Sequence, residues 1–310
     1  MQSIIITSVN ISEKKGTVKK PVEQIELTHN GIRNDAHAGH WNRQVSLLAG
    51  ESVAKFEAAS KRPVAPGEFA ENITTTGTEL WKAHPLDRFT SGDIELEVTQ
   101  IGKECHGSGC AVFNEVGDCV MPKEGIFCRV LSPGILKAGM VMEYHPKTYR
   151  VMIITLSDRA SAGEYEDRSG PRIKELLETH FTMCNLHFAI CNFLIPDDPH
   201  KLDELLNKAK KELVDIVVTT GGTGIGPRDF TPDVVKPLLD KEIPGVMESV
   251  RLKYGMDKPA ALLSRSVAGI MGKSLVFTLP GSLKAVNEYL AEILKSLTHM
   301  IHMLHGLDSH

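Results

Sequence analysis

Residues 215–233 read DIVVTTGGTGIGPRDFTPD. Ile216, Val217, Val218, Thr219 and Thr220 are apolar or β-branched, and a short run of that kind bounded by turn residues predicts a buried strand. Gly221, Gly222, Gly224 and Gly226 come next, where a backbone free to take φ > 0 can turn its N–H groups onto a ligand. Thr231 is the expected N-cap of the next helix, and Pro232 falls in its first turn, where the missing donor costs nothing. Strand, glycine turn and helix start in that order form a cradle for phosphate. Arg228 and Asp229 at its tip offer a phosphate partner and a metal or hydroxyl partner. No Lys-Ser/Thr follows the glycines, so this is not a Walker A loop, and GxGxxG is not met either. A tight turn with nothing bound is the competing reading, but a turn rarely needs so many glycines with two charges at its tip.

The segments around this stretch alternate. Residues 149–156 predict a strand, 169–180 a helix with Pro171 in its first turn, 188–195 a strand, 198–213 a helix and 275–279 a further strand. Such alternation implies an α/β domain with a mostly parallel sheet flanked by helices, and ligands then sit at the carboxyl ends of the strands. Those ends are polar, acidic or glycine-rich. Ser157, Asp158, Asp167 and Ser169 follow the first strand, Asp197 and Asp198 the second, and Pro280, Gly281 and Ser282 the last. Residues 283–305 predict a long final helix ended by Gly306. Its His299, His302 and His305 read as cations complementing the helix dipole rather than as a metal stripe.

TTGGTGIGPRDFTPD closely resembles the signature loop of the molybdenum-cofactor biosynthesis domain, the family of the molybdopterin adenylyltransferases and the G domains of cofactor-insertion proteins. SDRASAGEYEDRSGP (157–171) and SRSVAGIMGKSLVFTLPG (264–281) resemble its first and closing segments, so the resemblance covers about the C-terminal half. It implies adenylyl transfer from Mg-ATP to molybdopterin, with pyrophosphate released. The family's two required acidic residues match Asp197 and Asp229, which it implies hold Mg²⁺. Backbone amides of Gly221, Gly222, Thr223 and Gly224 beside Thr220 would take phosphate oxygens. Ser264 and Ser266 would bind the pterin or its phosphate, and Arg228 would steer the nucleotide. Family resemblance also implies a homo-oligomer, a trimer.

The 310-residue chain has a net charge of −4, shared equally between residues 1–148 and the remainder, so no basic half suggests a nucleic-acid partner. No apolar run reaches membrane-spanning length, Met1 is not followed by a signal-like segment, and a cytoplasmic protein is expected. The six cysteines are not spaced as a disulfide framework for a chain of this size.

Residues 3–9, 24–28 and 94–99 predict strands, and 46–60 carries the one good helical pattern before residue 147. Short strands with little helix predict a mainly-β barrel or sandwich-like domain over 1–147, joined through YHPKTYR (144–150) as a short linker to an α/β domain over 148–310. DAHAGHWNRQ (35–44), FAENITT (69–75) and residues 98–129 together resemble the MOSC domain, over nearly all of residues 3–144. That resemblance implies a cysteine that carries sulfur as a persulfide, independently of pyridoxal phosphate, or that ligates molybdenum of a bound cofactor. By that resemblance the family cysteine matches Cys105 best, and its neighbours Lys103 and His106 are cations of the kind that favour a thiolate. Cys110 is the other candidate, and Cys119 and Cys128 read as core. His37, His40 and Arg43 are expected to line an anionic pocket, a zinc site with Cys105, His106 and Cys110 being the lesser reading.

The two halves together predict molybdenum or tungsten cofactor biosynthesis. The N-terminal half would bind, sulfurate or hand on the cofactor, with molybdopterin-synthesis, metal-insertion or acceptor enzymes as partners. A non-catalytic carrier or scaffold is the rival, and the Asp197/Asp229 pair favours the enzyme.

Overall fold

The computed structural model describes residues 2–104 and 119–307. The described residues divide into two compact units, one that ends at Lys147 and also takes in Leu307, the other Thr148–Gly306.

In the first unit the described strands are β1 (Gln2–Ile11), β2 (Lys20–Val22), β3 (Gln24–Thr28), β4 (Gly31–Ile32), β5 (Val45–Ala49), β6 (Ile73–Thr76), β7 (Arg88–Ser91), β8 (Ile94–Ile101), β9 (Ile126–Ser132), β10 (Gly134–Lys137) and β11 (Val141–His145). Neighbours run β11-β7-β8-β9-β5-β6-β1, and β11 pairs back onto β1 from Gln2↔Tyr144 to Ile5↔Val141. The result is a closed seven-strand barrel, with β2 added beyond β1. Closure leaves those seven strands without a free edge. Ile4, Ile6, Leu47, Ile73, Leu96, Val98, Ile126 and Met142 belong to its core.

The helix expected over 46–60 is half right. Residues Val45–Ala49 form β5, fully buried and paired with β6 and β9, and the helix occupies Gly50–Ser60. Val-Ser-Leu-Leu-Ala is as good a buried strand as a helical turn, and two strand partners decide it. Gly50 marks the change, since a Cβ there would stand 2.9 Å from the Thr75 carbonyl oxygen. Cys128 is fully buried, and burial together with Glu97 pushes its thiol far above the usual range. Cys119 packs against the cluster of Leu48, Phe69, Met121 and Phe127. Cys105, His106 and Cys110 lie outside the described residues. The expected linker is shorter than 144–150, because Pro146 and Lys147 alone separate β11 from β12.

The second unit is a six-stranded sheet of β12 (Thr148–Leu156), β13 (His187–Ile195), β14 (Ile216–Thr220), β15 (Lys241–Glu242), β16 (Ala268–Met271) and β17 (Ser274–Leu279), ordered β13-β12-β14-β17-β16-β15. The first four in that order are parallel, β16 runs antiparallel to β17, and β15 pairs antiparallel with β16 at the edge. One face buries Met152, Ile154, Val217 and Val276 with Leu202 and Leu206 of the helix Pro199–Lys211. Tyr149 and Phe188 stack on Phe181 of the helix Ser169–Met183, at 5.7 and 5.4 Å between ring centroids. β14 is buried at all five positions, as an unbroken apolar run in a central parallel strand should be.

From β12 the chain goes to β13 on one side and returns to β14 on the other. The carboxyl ends of β12 and β14 therefore flank the switch in strand order, the place where open α/β sheets bind ligands. The last helix spans Leu283–Leu304, and Gly306 at φ 68 comes after it. Burial and the neighbouring His299 lower the His302 pKa, which works against the expected role as a cation complementing the helix dipole.

Candidate functional site

The glycine loop is shaped by contacts that leave no room for side chains. Gly221 sits at φ 108, its amide donates to the Leu279 carbonyl (3.0 Å), and a Cβ there would lie 2.4 Å from the Leu156 carbonyl oxygen. Gly222 has φ 63, and a Cβ on it would meet the Thr231 hydroxyl at 2.6 Å. Thr231 does not cap with its side chain as expected. Its Oγ1 donates to the Gly221 carbonyl (2.8 Å) and its amide donates to the Gly222 carbonyl (3.0 Å), which ties the loop's start to its end. The helix after it is one short piece, Thr231–Val235, so its dipole adds little and the loop amides form the cradle. Among the described residues, no protein hydrogen bond is made by the amides of Gly222, Thr223 or Gly224.

Asp229 turns back into the loop. Its Oδ2 accepts from the Gly226 amide at 2.8 Å, and Cβ atoms on Gly224 and Gly226 would approach that oxygen to 2.7 and 2.9 Å. Asp197 leaves the end of β13, while its neighbour Asp198 caps the next helix by accepting from the His200 and Lys201 amides. The Asp197 amide donates to Asp158 Oδ1 (2.9 Å), and the Asp158 amide donates to Asp197 Oδ2 (3.2 Å). Arg228 reaches Asp158 Oδ2 at 3.5 Å from a largely exposed position. Asp197 and Asp229 line one hollow of about 310 Å³ with Leu156, Ser157, Gly222, Gly226, Pro227 and Arg228.

A second hollow of about 370 Å³ meets the first at Leu156 and Ser157, and Asp167, Ser169, Thr220 and Gly281 also line it. Asp167 Oδ1 accepts from the Ser169 and Gly170 amides, Ser169 Oγ donates to the Gly281 carbonyl, and Thr220 Oγ1 donates to the Pro280 carbonyl. Ser157 caps the helical turn Asp158–Ser161 and shares a 2.8 Å hydrogen bond with Tyr165. Ser264 and Ser266 are not part of either hollow. They bond to each other at 2.8 Å and line a third, of about 460 Å³, with Arg251, Lys236 and Glu248.

Among the described residues, no three His, Cys, Asp or Glu side chains converge on one metal-sized position. Mg²⁺ is usually held by one or two carboxylates with the substrate's phosphates completing the shell, so two acids on one hollow still fit it.

Residues 152–299 match the family described as "Probable molybdopterin binding domain". Residues 34–143 match that described as "MOSC domain". A molybdopterin adenylyltransferase of Helicobacter pylori (strain J99) is 36% identical over 162 residues, covering 52% of this chain and 90% of that one. One of Pyrococcus furiosus is 43% identical over 156 residues, covering 49% of this chain and 88% of that one. Gephyrin of Dictyostelium discoideum is 35% identical over 162 residues, 50% of this chain, which spans only 22% of that longer relative. The chain belongs to the molybdopterin adenylyltransferase family.

The MOSC domain of this adenylyltransferase-family chain carries a second polar centre. Lys19 and Asp35, both buried, pair at 2.5 Å. Asp35 also accepts from the Ser12 and His37 amides and from Asn72 Nδ2. Burial alone would push the Asp35 carboxyl up, but hydrogen bonds from His37 and Lys19 and the Lys19 charge hold it well below the usual carboxylate range. Lys19 Nζ also stands 3.3 Å from His37 Nδ1. The His37 ring stacks on Trp41, and Arg43 and Lys15 place cations 5.1 and 5.3 Å from that ring. A hollow of about 520 Å³ in this unit is lined by Glu51, Glu79, Lys82, Phe89 and Tyr144, and His37 and Arg43 are not among its lining residues.

Sequence reasoning misses Arg265, Lys19 and Tyr165. Arg265 stands between Ser264 and Ser266, and a cation inside SRSVAG is the available signal. Lys19 carries none, since nothing in VKKPV separates a buried lysine from an exposed one.

Proposed function

We propose that the C-terminal unit transfers AMP from Mg-ATP to molybdopterin. One observation carries the reading: Asp197, Asp229 and the glycine loop share a hollow at the switch in strand order, and a second hollow adjoins it. Two anionic substrates need two neighbouring seats held in line. A terminal phosphate oxygen of molybdopterin attacks the α-phosphorus of ATP. The bond from that phosphorus to the bridging β-phosphate oxygen breaks, and pyrophosphate leaves with the electron pair. The unbonded amides of Gly222, Thr223 and Gly224 would hold phosphate oxygens. Arg228, exposed and at 3.5 Å from Asp158, would trade that partner for the nucleotide's charge. Asp197 and Asp229 would hold Mg²⁺, which when bound offsets charge on the phosphates.

Pyrophosphate release from ATP in the presence of molybdopterin tests this. Asp229→Ala should lower turnover at least about 100-fold while the circular dichroism spectrum stays unchanged. Tight pterin binding by the wild-type chain without pyrophosphate release would instead make it a carrier.

We infer that the MOSC unit receives the same pterin-phosphate chemistry, on the strength of the Lys15, Arg43 and His37 groups gathered on Trp41. Cys105→Ser should then abolish sulfur or metal capture by this unit, and persistent capture would move the role to Cys110.

A further inference from the structure

We propose that Arg265 is a positioning residue that sets the Asp229 carboxylate by clamping both ends of its loop. Four donors of this one residue go to the loop and the helix after it. The Arg265 amide donates to the Thr223 carbonyl (2.8 Å), Nε donates to the Gly224 carbonyl (2.7 Å), Nη2 donates to the Asp229 carbonyl, and Nη1 donates to Asp233 Oδ1 (2.8 Å). Gly224 and Asp229 are the two ends of the turn that presents the acid. A planar guanidinium can hold two carbonyls at once in fixed geometry, which a lysine ammonium on a flexible stem cannot.

The turn has little slack of its own. Within it the Asp229 amide donates to the Gly226 carbonyl (3.0 Å) and the Gly226 amide donates to Asp229 Oδ2 (2.8 Å). A Cβ added at Gly224 or Gly226 would come to 2.7 or 2.9 Å of Asp229 Oδ2, so a side chain at either position would displace the carboxylate. Opening the turn at its base would therefore move the carboxylate rather than be absorbed by the loop. The guanidinium is 37% exposed and its ion pair with Asp233 is on the surface, so that pair contributes little and the carbonyl contacts carry the clamp. A misplacement on the order of 1 Å in a group that aligns reacting atoms costs about 100-fold in rate.

This rests on the adenylyl-transfer reading, and the test separates the two. Arg265→Met should lower kcat about 100-fold with both KM values within about threefold of wild type. Arg265→Lys should recover only part of the loss, and Asp233→Asn should stay within about threefold of wild type. Added to Asp229→Ala, Arg265→Met should cost nothing further, because both act through one carboxylate. Hydrogen exchange of the Gly226 and Asp229 amides, which are hydrogen-bonded within the turn, is read in parallel and needs no turnover. It should speed up at least about tenfold in Arg265→Met and stay unchanged in Asp233→Asn. Wild-type protein with no turnover refutes the reading, and the exchange result still decides the clamp. Unchanged exchange in Arg265→Met, wild-type kcat in Arg265→Lys, or additive losses in the double variant would overturn it. If Arg265→Met does not fold, Arg265→Lys carries the same measurements.

Discussion

Asp158 and Asp197 hold each other by main-chain to side-chain hydrogen bonds in both directions, the Asp197 amide on Asp158 Oδ1 at 2.9 Å and the Asp158 amide on Asp197 Oδ2 at 3.2 Å. The two residues belong to the turns after β12 and β13, so the exchange fastens one β–α turn to the other. It also leaves each carboxylate with one oxygen that makes no part of the exchange.

Asp158→Ala should free the turn that carries Asp197. Loss of one charged acceptor at this site is on the order of 1.5 kcal/mol, about a tenfold fall in kcat. Asp158→Asn keeps an oxygen for the Asp197 amide and should stay within about threefold of wild type. Steady-state pyrophosphate release reads both, and wild-type turnover in Asp158→Ala would show that the exchange does not orient Asp197.

Gly221→Ala should destabilise the second unit without touching a carboxylate. The new Cβ would meet the Leu156 carbonyl oxygen at 2.4 Å, on a backbone at φ 108 that L residues rarely adopt. The combined strain is about 3 kcal/mol or more. Both tryptophans, Trp41 and Trp81, lie in the first unit, so their fluorescence should unfold at the wild-type denaturant concentration. The helical signal at 222 nm should be lost at a lower one. Coincident wild-type transitions by both probes would refute the clash.

Most of the second unit is legible in the sequence because its strands end at residues that announce a turn. Thr220 hands over to a glycine pair, Ile195 to Pro-Asp-Asp and Leu279 to Pro-Gly-Ser, and those turns carry the site. Thr231 shows the limit of local reading: its hydroxyl reads as a cap, whereas a carbonyl ten residues earlier in the chain claims it. β5 shows the same limit, since an apolar pentapeptide takes its state from the partners on either side. Ser264 and Ser266, expected to bind the pterin or its phosphate, bond to each other and line a hollow that does not include Asp197 or Asp229. Their separation from the acidic hollow depends on how the strands are ordered, which no local motif encodes.

Lys19 and Asp35 should be costly to separate. Asp35→Asn leaves a buried ammonium without its counter-ion, a loss of about 3–5 kcal/mol, read as a lower urea midpoint of tryptophan fluorescence. The acid limb gives the sign. A carboxylate held below its unfolded value contributes stability that is complete above about pH 4 and is lost as pH falls toward the folded value. Below about pH 4 the wild-type midpoint should therefore drop more steeply than that of Asp35→Asn. Parallel slopes would mean that Asp35 is not ionised in the folded barrel.

Glu71 should act in the opposite direction and at higher pH. It is 1% exposed, and burial raises its pKa although the Gly67 amide and Thr74 Oγ1 both donate to its Oε1. Its Oε2 is buried and has no hydrogen-bond partner, which is why those donors do not offset the burial. A carboxyl raised in this way keeps its proton longer in the folded state than in the unfolded one. Stability is then greatest below the unfolded value of about 4.3 and declines as pH rises toward the folded value. Glu71→Gln removes the ionisation and keeps an acceptor for Gly67 and Thr74. It should raise the tryptophan-monitored urea midpoint at pH 8 and flatten the decline expected of wild type above about pH 4.3. A variant that is less stable than wild type at pH 8, or that declines in parallel with it, would show that Glu71 is carried as a charge in the folded barrel.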